Sequence, residues 1–216
     1  MSVPGIKTAL AVLGFLLAVI SFAYPGPRLV HAGERSQSIP AATSFSLVDH
    51  RGKPVTEKNF RGKFMLVFFG YTYCPDVCPT GLQTMSTALE SLGHVGDKII
   101  PVFVTVDPER DSAEVMAAYV THFHSRLIGL TGTRQQTAQA ARVFGVRNFK
   151  VFFPPFENED NSANEQDKDE DENSNYLLNH SANTYLVGPD GRVLTIFPFE
   201  ASPGEIEQTI RKLIEA

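Results

Sequence analysis

Two continuous apolar runs constrain this chain more than anything else in it. Phe64-Met65-Leu66-Val67-Phe68-Phe69 is one, and Ile99-Ile100-Pro101-Val102-Phe103-Val104-Thr105-Val106 is the other. Neither alternates with polar residues, and each is too short for a typical helix. Each therefore predicts a strand buried on both faces. Between them Leu82, Met85, Leu89 and Leu92 recur at helical spacing, and Gly93 is placed to end that helix. Pro79 sets where it begins. Proline costs about 3 kcal/mol in a helix interior and is tolerated in the first turn. The simplest solution puts Cys78 near the N-cap and Pro79 at the first helical position.

The remaining elements follow from local signals. Phe45–Val48, the turn Asp49–Gly52 and Lys53–Val55 predict a small hairpin. Asp111 as N-cap, with Glu114 reaching back, predicts a helix to about His124. Leu127–Leu130 reads as a short strand. The capping box Thr133–Gln136 opens a helix to about Phe144, which Gly145 ends. Thr184–Val187, the turn Gly188–Gly191 and Arg192–Phe197 predict a second hairpin. Ser202, Pro203 and Glu205 start a last helix, with Ile206, Ile210, Leu213 and Ile214 expected inward. A strand–helix–strand unit followed by a hairpin and a last helix is the thioredoxin arrangement. The expected fold class is α/β, thioredoxin-like, with an N-terminal β-hairpin extension. A likeness of folds assigns no function.

The two ends of the charge scale lie outside this core. Thr8 to Tyr24 is a stretch of 17 residues without a charge, preceded by Lys7 and ended by Pro25-Gly26-Pro27. A membrane-spanning helix needs about 17–25 residues, and a signal-peptide core about 7–15. An uncleaved anchor over residues 1–24 is favoured over a cleaved signal. Residues 25–44 read as a linker, and 45–216 as the folded domain. Either N-terminal reading sends that domain out of the cytoplasm. No Arg/Ser-rich presequence precedes it, so an inner-membrane anchor with the domain in a bacterial periplasm is expected. The net charge of −5 argues against a nucleic-acid partner. Glu157–Glu172 holds nine acidic residues against one lysine, a local −8 that leaves the rest of the chain at +3. Residues 154–175 are accordingly expected to be a disordered acidic insertion.

The chain has only two cysteines, Cys74 and Cys78, at the junction of the first buried strand and its helix. Residues four apart on a turn come to about 6 Å between Cα atoms, within disulfide range. A helix N-terminus carries about +0.5 charge and favours thiolates. Metal binding, redox exchange and a structural disulfide are all open to such a pair. The last is weak, because so short a loop removes little unfolded-state entropy. Redox motifs of the thioredoxin type have two residues between the cysteines, and here there are three. A peroxidase-like site usually has a threonine three residues before its cysteine; here that position is Tyr71. Structural zinc wants four ligands, whereas two thiolates and one imidazole suit copper, Cu(I) especially. Of the six histidines, His31 lies in the linker, His50 in a turn and His94 after a helix end. His122 and His124 fall at the end of an amphipathic helix. His180 precedes the Thr184 strand, in the loop that faces the dithiol in thioredoxin-like folds. By spacing alone it is either a ligand or a polar loop residue.

Four segments are similar to the Sco (SenC-like) copper-delivery family: GYTYCPDVCPT (70–80), VTVDPERDS (104–112), LIGLTGT (127–133) and HSANTYLVGPDG (180–191). The resemblance covers most of residues 40–216. It implies a thioredoxin-like fold, membrane anchorage and a copper ion, Cu(I) or Cu(II), bound by Cys74, Cys78 and His180. It also implies delivery of copper to the dinuclear copper centre of cytochrome c oxidase. The partners would be that copper-site subunit and a copper donor protein. The alternative it carries is a thiol–disulfide oxidoreductase, with Cys74 and Cys78 as the redox pair and no other catalytic residue. The family often has Asp before the metal-binding histidine; this chain has Asn179, which alters the support around that ligand.

Overall fold

A computed structural model of the protein describes residues 44–152 and 176–215. The expected anchor, most of the linker and the acidic stretch lie outside the described residues. Among those described, no helix is long and apolar enough to cross a membrane.

The two apolar runs pair as expected. β3 (Phe64–Gly70) and β4 (Ile99–Thr105) are parallel, with Phe68 opposite Phe103 and Gly70 opposite Thr105. They form the centre of a seven-stranded sheet that includes β1 (Ser46–Asp49), β2 (Pro54–Thr56), β5 (Ile128–Thr131), β8 (Thr184–Val187) and β9 (Val193–Phe197). Its order is β2-β1-β5-β4-β3-β8-β9. The N-terminal hairpin joins this sheet, because β1 pairs antiparallel with β5. Alternate residues of β3 face opposite layers. A Cβ at Gly81, in helix α1 (Val77–Ser91), would meet the Phe68 ring, whereas Phe69 packs on Phe144 and Tyr185. Phe68, Phe69 and Phe103 have no exposed surface, and burying such a ring contributes roughly 1.5–3 kcal/mol. Continuous rather than alternating hydrophobicity is what a strand covered on both faces requires.

Helix α2 (Ala113–Val120) lays Met116 and Val120 against Gly129 of β5. Helix α3 (Arg134–Val143) has the expected Thr133–Gln136 capping box. Helix α4 (Pro203–Ile214) has the Ser202–Glu205 box and sends Arg211 to the carbonyls of Ser91 and Leu92 at the end of α1.

Several expectations are corrected. Helix α1 starts at Val77 with Asp76 as N-cap, so Pro79 is its third residue. The first-turn N–H groups have no intrahelical acceptor, so a proline there forfeits no bond. Asp111 does not cap α2; Ser112 does, accepting from the Val115 N–H at 3.2 Å. The Asp111 carboxylate turns inward to three donors. Helix α2 stops at Val120 and does not reach His122 or His124, and His124 Nδ1 instead accepts the Arg126 N–H at 3.1 Å. Leu213 is exposed, while Ile206 and Ile210 are buried. A second, two-stranded sheet also forms, from β6 (Asn148–Phe152) and β7 (Tyr176–His180). No local signal marks it, because its partners lie on either side of the acidic stretch.

Candidate metal centre

The centre is assembled where β3 hands over to α1. The Cys74 N–H donates to the Tyr71 carbonyl at 3.3 Å, making the turn that carries the first thiol. Cys74 Sγ then accepts the Cys78 N–H at 3.4 Å. A sulfur thus takes one of the first-turn amides that a capping oxygen usually takes. Cys78, the second residue of the helix, is fully buried; Cys74 is half-buried. A Cβ added to Gly70 would stand 2.7 Å from Cys78 Sγ and 2.9 Å from the Phe103 ring. The sulfur therefore occupies space that only glycine leaves open.

His180 arrives from the other limb. It is the last residue of β7, opposite Asn148 of β6, not a loop residue as the sequence suggested. Its Nε2 lies 3.3 Å from Cys78 Sγ. Its Nδ1 lies 3.3 Å from the Ser181 carbonyl, so each ring nitrogen has a polar partner. The edges of Phe68 and Tyr71 hold the ring, with centroids at 6.4 and 5.9 Å. Asn179 is exposed beside it. A cavity of about 400 Å³ opens at the site, lined by Tyr71, Cys74, Val77, Val151, Leu177 and His180 among others. Tyr73 stands exposed, whereas Phe69 faces the opposite layer.

The two thiols share one proton. A hydrogen bond from Cys78 holds the Cys74 thiol down to about 3, against the opposing effect of burial; His180 and the amides of Asp76 and Cys78 add to it. The neighbouring Cys74 sulfur, and then burial, push the Cys78 thiol up. Burial likewise raises Tyr71 to about 12, so its hydroxyl stays neutral. The site therefore presents one accessible thiolate, one buried thiol and one imidazole.

The ligand atoms of Cys74, Cys78 and His180 all lie within 4.8 Å of one another, the one such group among the described residues. Bonds of about 2.0 Å to nitrogen and 2.3 Å to sulfur, as for zinc-sized ions, span separations of this order. Among the described residues no fourth protein ligand joins the group, whereas a closed structural zinc site takes four. The other described histidines stand elsewhere: His50 Nδ1 accepts the Gly129 N–H, and His94 pairs with Asp97. Asp107 and Glu109 form no acid/base couple, since each is occupied by cations or a tyrosine from elsewhere. Asp111 and Gly70 were missed as parts of the site. An aspartate before a serine looks like a cap, and a glycine at a strand end looks like a turn.

The family model described as SCO1/SenC matches residues 33–215. The mitochondrial SCO2 homolog of Mus musculus is 35% identical over 223 residues, spanning 99% of this chain and 81% of that protein. Arabidopsis thaliana ScoI, solved with copper bound, superposes with a TM-score of 0.67 at 30% identity, covering 82% of this chain and 99% of that one. Bradyrhizobium japonicum ScoI, also solved with copper bound, gives 0.65 at 35% identity, covering 80% and 98%.

Proposed function

This chain belongs to the SCO1/SenC family, and we propose that it is a copper carrier whose ligands are Cys74, Cys78 and His180. One observation carries the proposal. A buried sulfur and an imidazole nitrogen from residues 102 apart in sequence meet at 3.3 Å, beside a thiolate on a helix N-terminus. Two thiolates and an imidazole suit Cu(I), and relatives solved with copper bound support the choice of ion.

Copper is cargo here. It meets the half-exposed Cys74 thiolate first, from the cavity side. Binding to Cys78 then displaces the one proton the pair holds. Release proceeds by ligand exchange, as a recipient's thiolates replace Cys74 first because Cys78 is enclosed. The Sco family is linked to cytochrome c oxidase assembly. The proposed recipient is the subunit bearing the oxidase's dinuclear copper centre, and the proposed source is a separate copper donor protein. The uncharged Thr8–Tyr24 stretch supports an inner-membrane anchor with the domain in the periplasm.

The test is titration of the reduced chain with Cu(I), wild type beside His180→Ala. The expected result is one ion per chain and an affinity lowered by more than about tenfold in the variant, the scale seen even for outer partners of ligands. Unchanged affinity removes His180 from the ligand set.

One observation favours a second reading. An accessible thiolate in front of a buried thiol is the arrangement of an attacking and a resolving cysteine. The Cys74 thiolate would attack a partner disulfide and expel one partner thiolate. Cys78, losing its proton, would then close the Cys74–Cys78 disulfide and free the second, leaving the partner with one thiol and one thiolate that takes its proton from water. This reading predicts turnover in metal-free buffer that His180→Ala leaves intact.

A further inference from the structure

The sheet of β6 and β7 is separate from the main sheet. Main-sheet pairing on this limb begins only at Thr184, opposite Phe68 and four residues after His180. Beside the direct contacts between the limbs, the Leu178 N–H donating to the Tyr71 hydroxyl at 3.2 Å and the rings of Phe68 and Tyr71 against His180, contacts from both limbs converge on one short piece of chain, Val106–Asp111, between β4 and α2.

Asp111 serves the cysteine limb. Its carboxylate is fully buried and accepts the Thr72 N–H at 3.0 Å, the Thr72 hydroxyl at 2.5 Å and the Thr105 hydroxyl at 2.6 Å. Thr72 stands two residues before Cys74, so this carboxylate pins the turn from which the first thiol projects. Asp107 and Arg110 serve the histidine limb. The Tyr176 hydroxyl donates to Asp107 at 2.6 Å, and Arg110 Nη1 donates to the Tyr176 carbonyl at 3.1 Å. The Arg110 guanidinium lies 3.8 Å from the centre of the Tyr176 ring, and 5.7 and 5.0 Å from those of Tyr71 and Tyr73. It is thus wedged between the two limbs, and Asp107 fixes its orientation through Nε. Glu109 adds an ion pair to Lys150 of β6 at 2.7 Å.

We propose that Val106–Asp111 is a positioning element of the metal centre: Asp111 fixes the dithiol turn, Asp107 and Arg110 fix the His180 strand, and the two acting on one short segment help to set the sulfur–imidazole separation. This inference rests on the copper-site reading. None of these residues touches the ligand atoms, so all are positioning residues. A rigid, short connection is what such a role needs, because ligand groups displaced by about 1 Å lose much of their function.

The experiment uses the full reduced chain with Tyr176→Phe and Asp111→Asn, each alone and combined with His180→Ala. Tyr176→Phe deletes one hydroxyl and keeps the ring, so the fold is retained. The expected result is a copper affinity lowered roughly tenfold, with a weakened nitrogen shell and an intact sulfur shell in the copper X-ray absorption spectrum. In the His180→Ala background Tyr176→Phe should cost nothing more, because it acts through that histidine. Asp111→Asn should weaken binding in both backgrounds. An unchanged nitrogen shell in Tyr176→Phe, or an equal further loss in the His180→Ala background, overturns the proposal. Amide hydrogen exchange of the metal-free chain gives a copper-independent readout. Tyr176→Phe should speed exchange at Leu177–His180 and not at Cys74–Thr80, and Asp111→Asn the reverse. If the wild type bound no copper, the copper reading would fail by itself. The positioning proposal would then stand on selective exchange and fall if both variants loosened both limbs alike.

Discussion

The Cys74–Cys78 pair packs as it does because one residue before it has no side chain. Gly70 lets the Cys78 sulfur sit against the sheet, where an added Cβ would stand 2.7 Å away. Backbone strain is not the reason, since Gly70 is not among the glycines with positive φ; space is. Gly70→Ala should push the Cys78 sulfur off its line to His180. Overpacking of this kind costs about 1–3 kcal/mol. The expected outcome is a lowered melting temperature together with weaker copper binding, checked by calorimetry and titration. A variant that binds as wild type does would show that the sulfur has room to move. The thiols give a second prediction. With Cys74 held down to about 3 and Cys78 pushed up, alkylation of the metal-free chain should modify Cys74 alone. Its rate should stay nearly flat from pH 5 to 8, where an ordinary thiol near 9 gains about tenfold per unit. The linkage sign follows. Between about 3 and 9 the folded chain holds a thiolate and the unfolded chain a thiol, so Cys74 makes stability rise with pH in that window. The contribution is lost as pH falls toward 3. Cys74→Ser should flatten that slope in denaturant titrations.

Among the elements, helix α1 decides the most. Its amphipathic stripe is plain in the sequence, and Leu82, Met85, Leu89 and Leu92 are buried as the spacing predicts. Its seat on the sheet is set by Gly81, where a Cβ would lie 2.7 Å from the Phe68 ring. Two effects oppose each other at this position. Replacing a helical glycine by alanine gains about 1 kcal/mol of helix propensity, and the clash costs about 1–3 kcal/mol. The clash should win because the Phe68 ring is fully buried and packed against Phe103 and His180. Gly81→Ala should therefore lower the melting temperature despite its better propensity. A rise would mean that Phe68 can yield. The start of the same helix shows where local rules run out. Pro79 admits a start at either Val77 or itself, and the Cys74 sulfur taking the Cys78 N–H settles the choice.

At the scale of the molecule, the acidic stretch is inserted into the hairpin that carries His180. Phe152 and Tyr176 are backbone register partners at the ends of β6 and β7, so a short turn can close the same hairpin. Replacing residues 153–175 with a four-residue Gly-containing turn should preserve copper stoichiometry and affinity. Shorter closure should also raise stability, since each halving of loop length is worth about 0.6 kcal/mol. Copper titration and thermal unfolding of the replaced chain check this. A large fall in affinity would make the acidic stretch part of the site.

The sequence by itself determined the buried strands, the helices between them, their caps at Thr133 and Ser202, and the two cysteines at a strand-to-helix junction. All of these are signals carried within about fifteen residues, where periodicity and capping chemistry act. It identified His180 through a resemblance of motifs, not through any local pattern. Only the tertiary structure decided that β6 and β7 pair across the acidic stretch and that Nε2 of His180 reaches Cys78. Only there does Asp111 turn from a helix cap into a buried anchor for the dithiol turn. Those choices depend on which donors and apolar faces meet after the chain has closed long loops, and neighbouring residues carry no record of that.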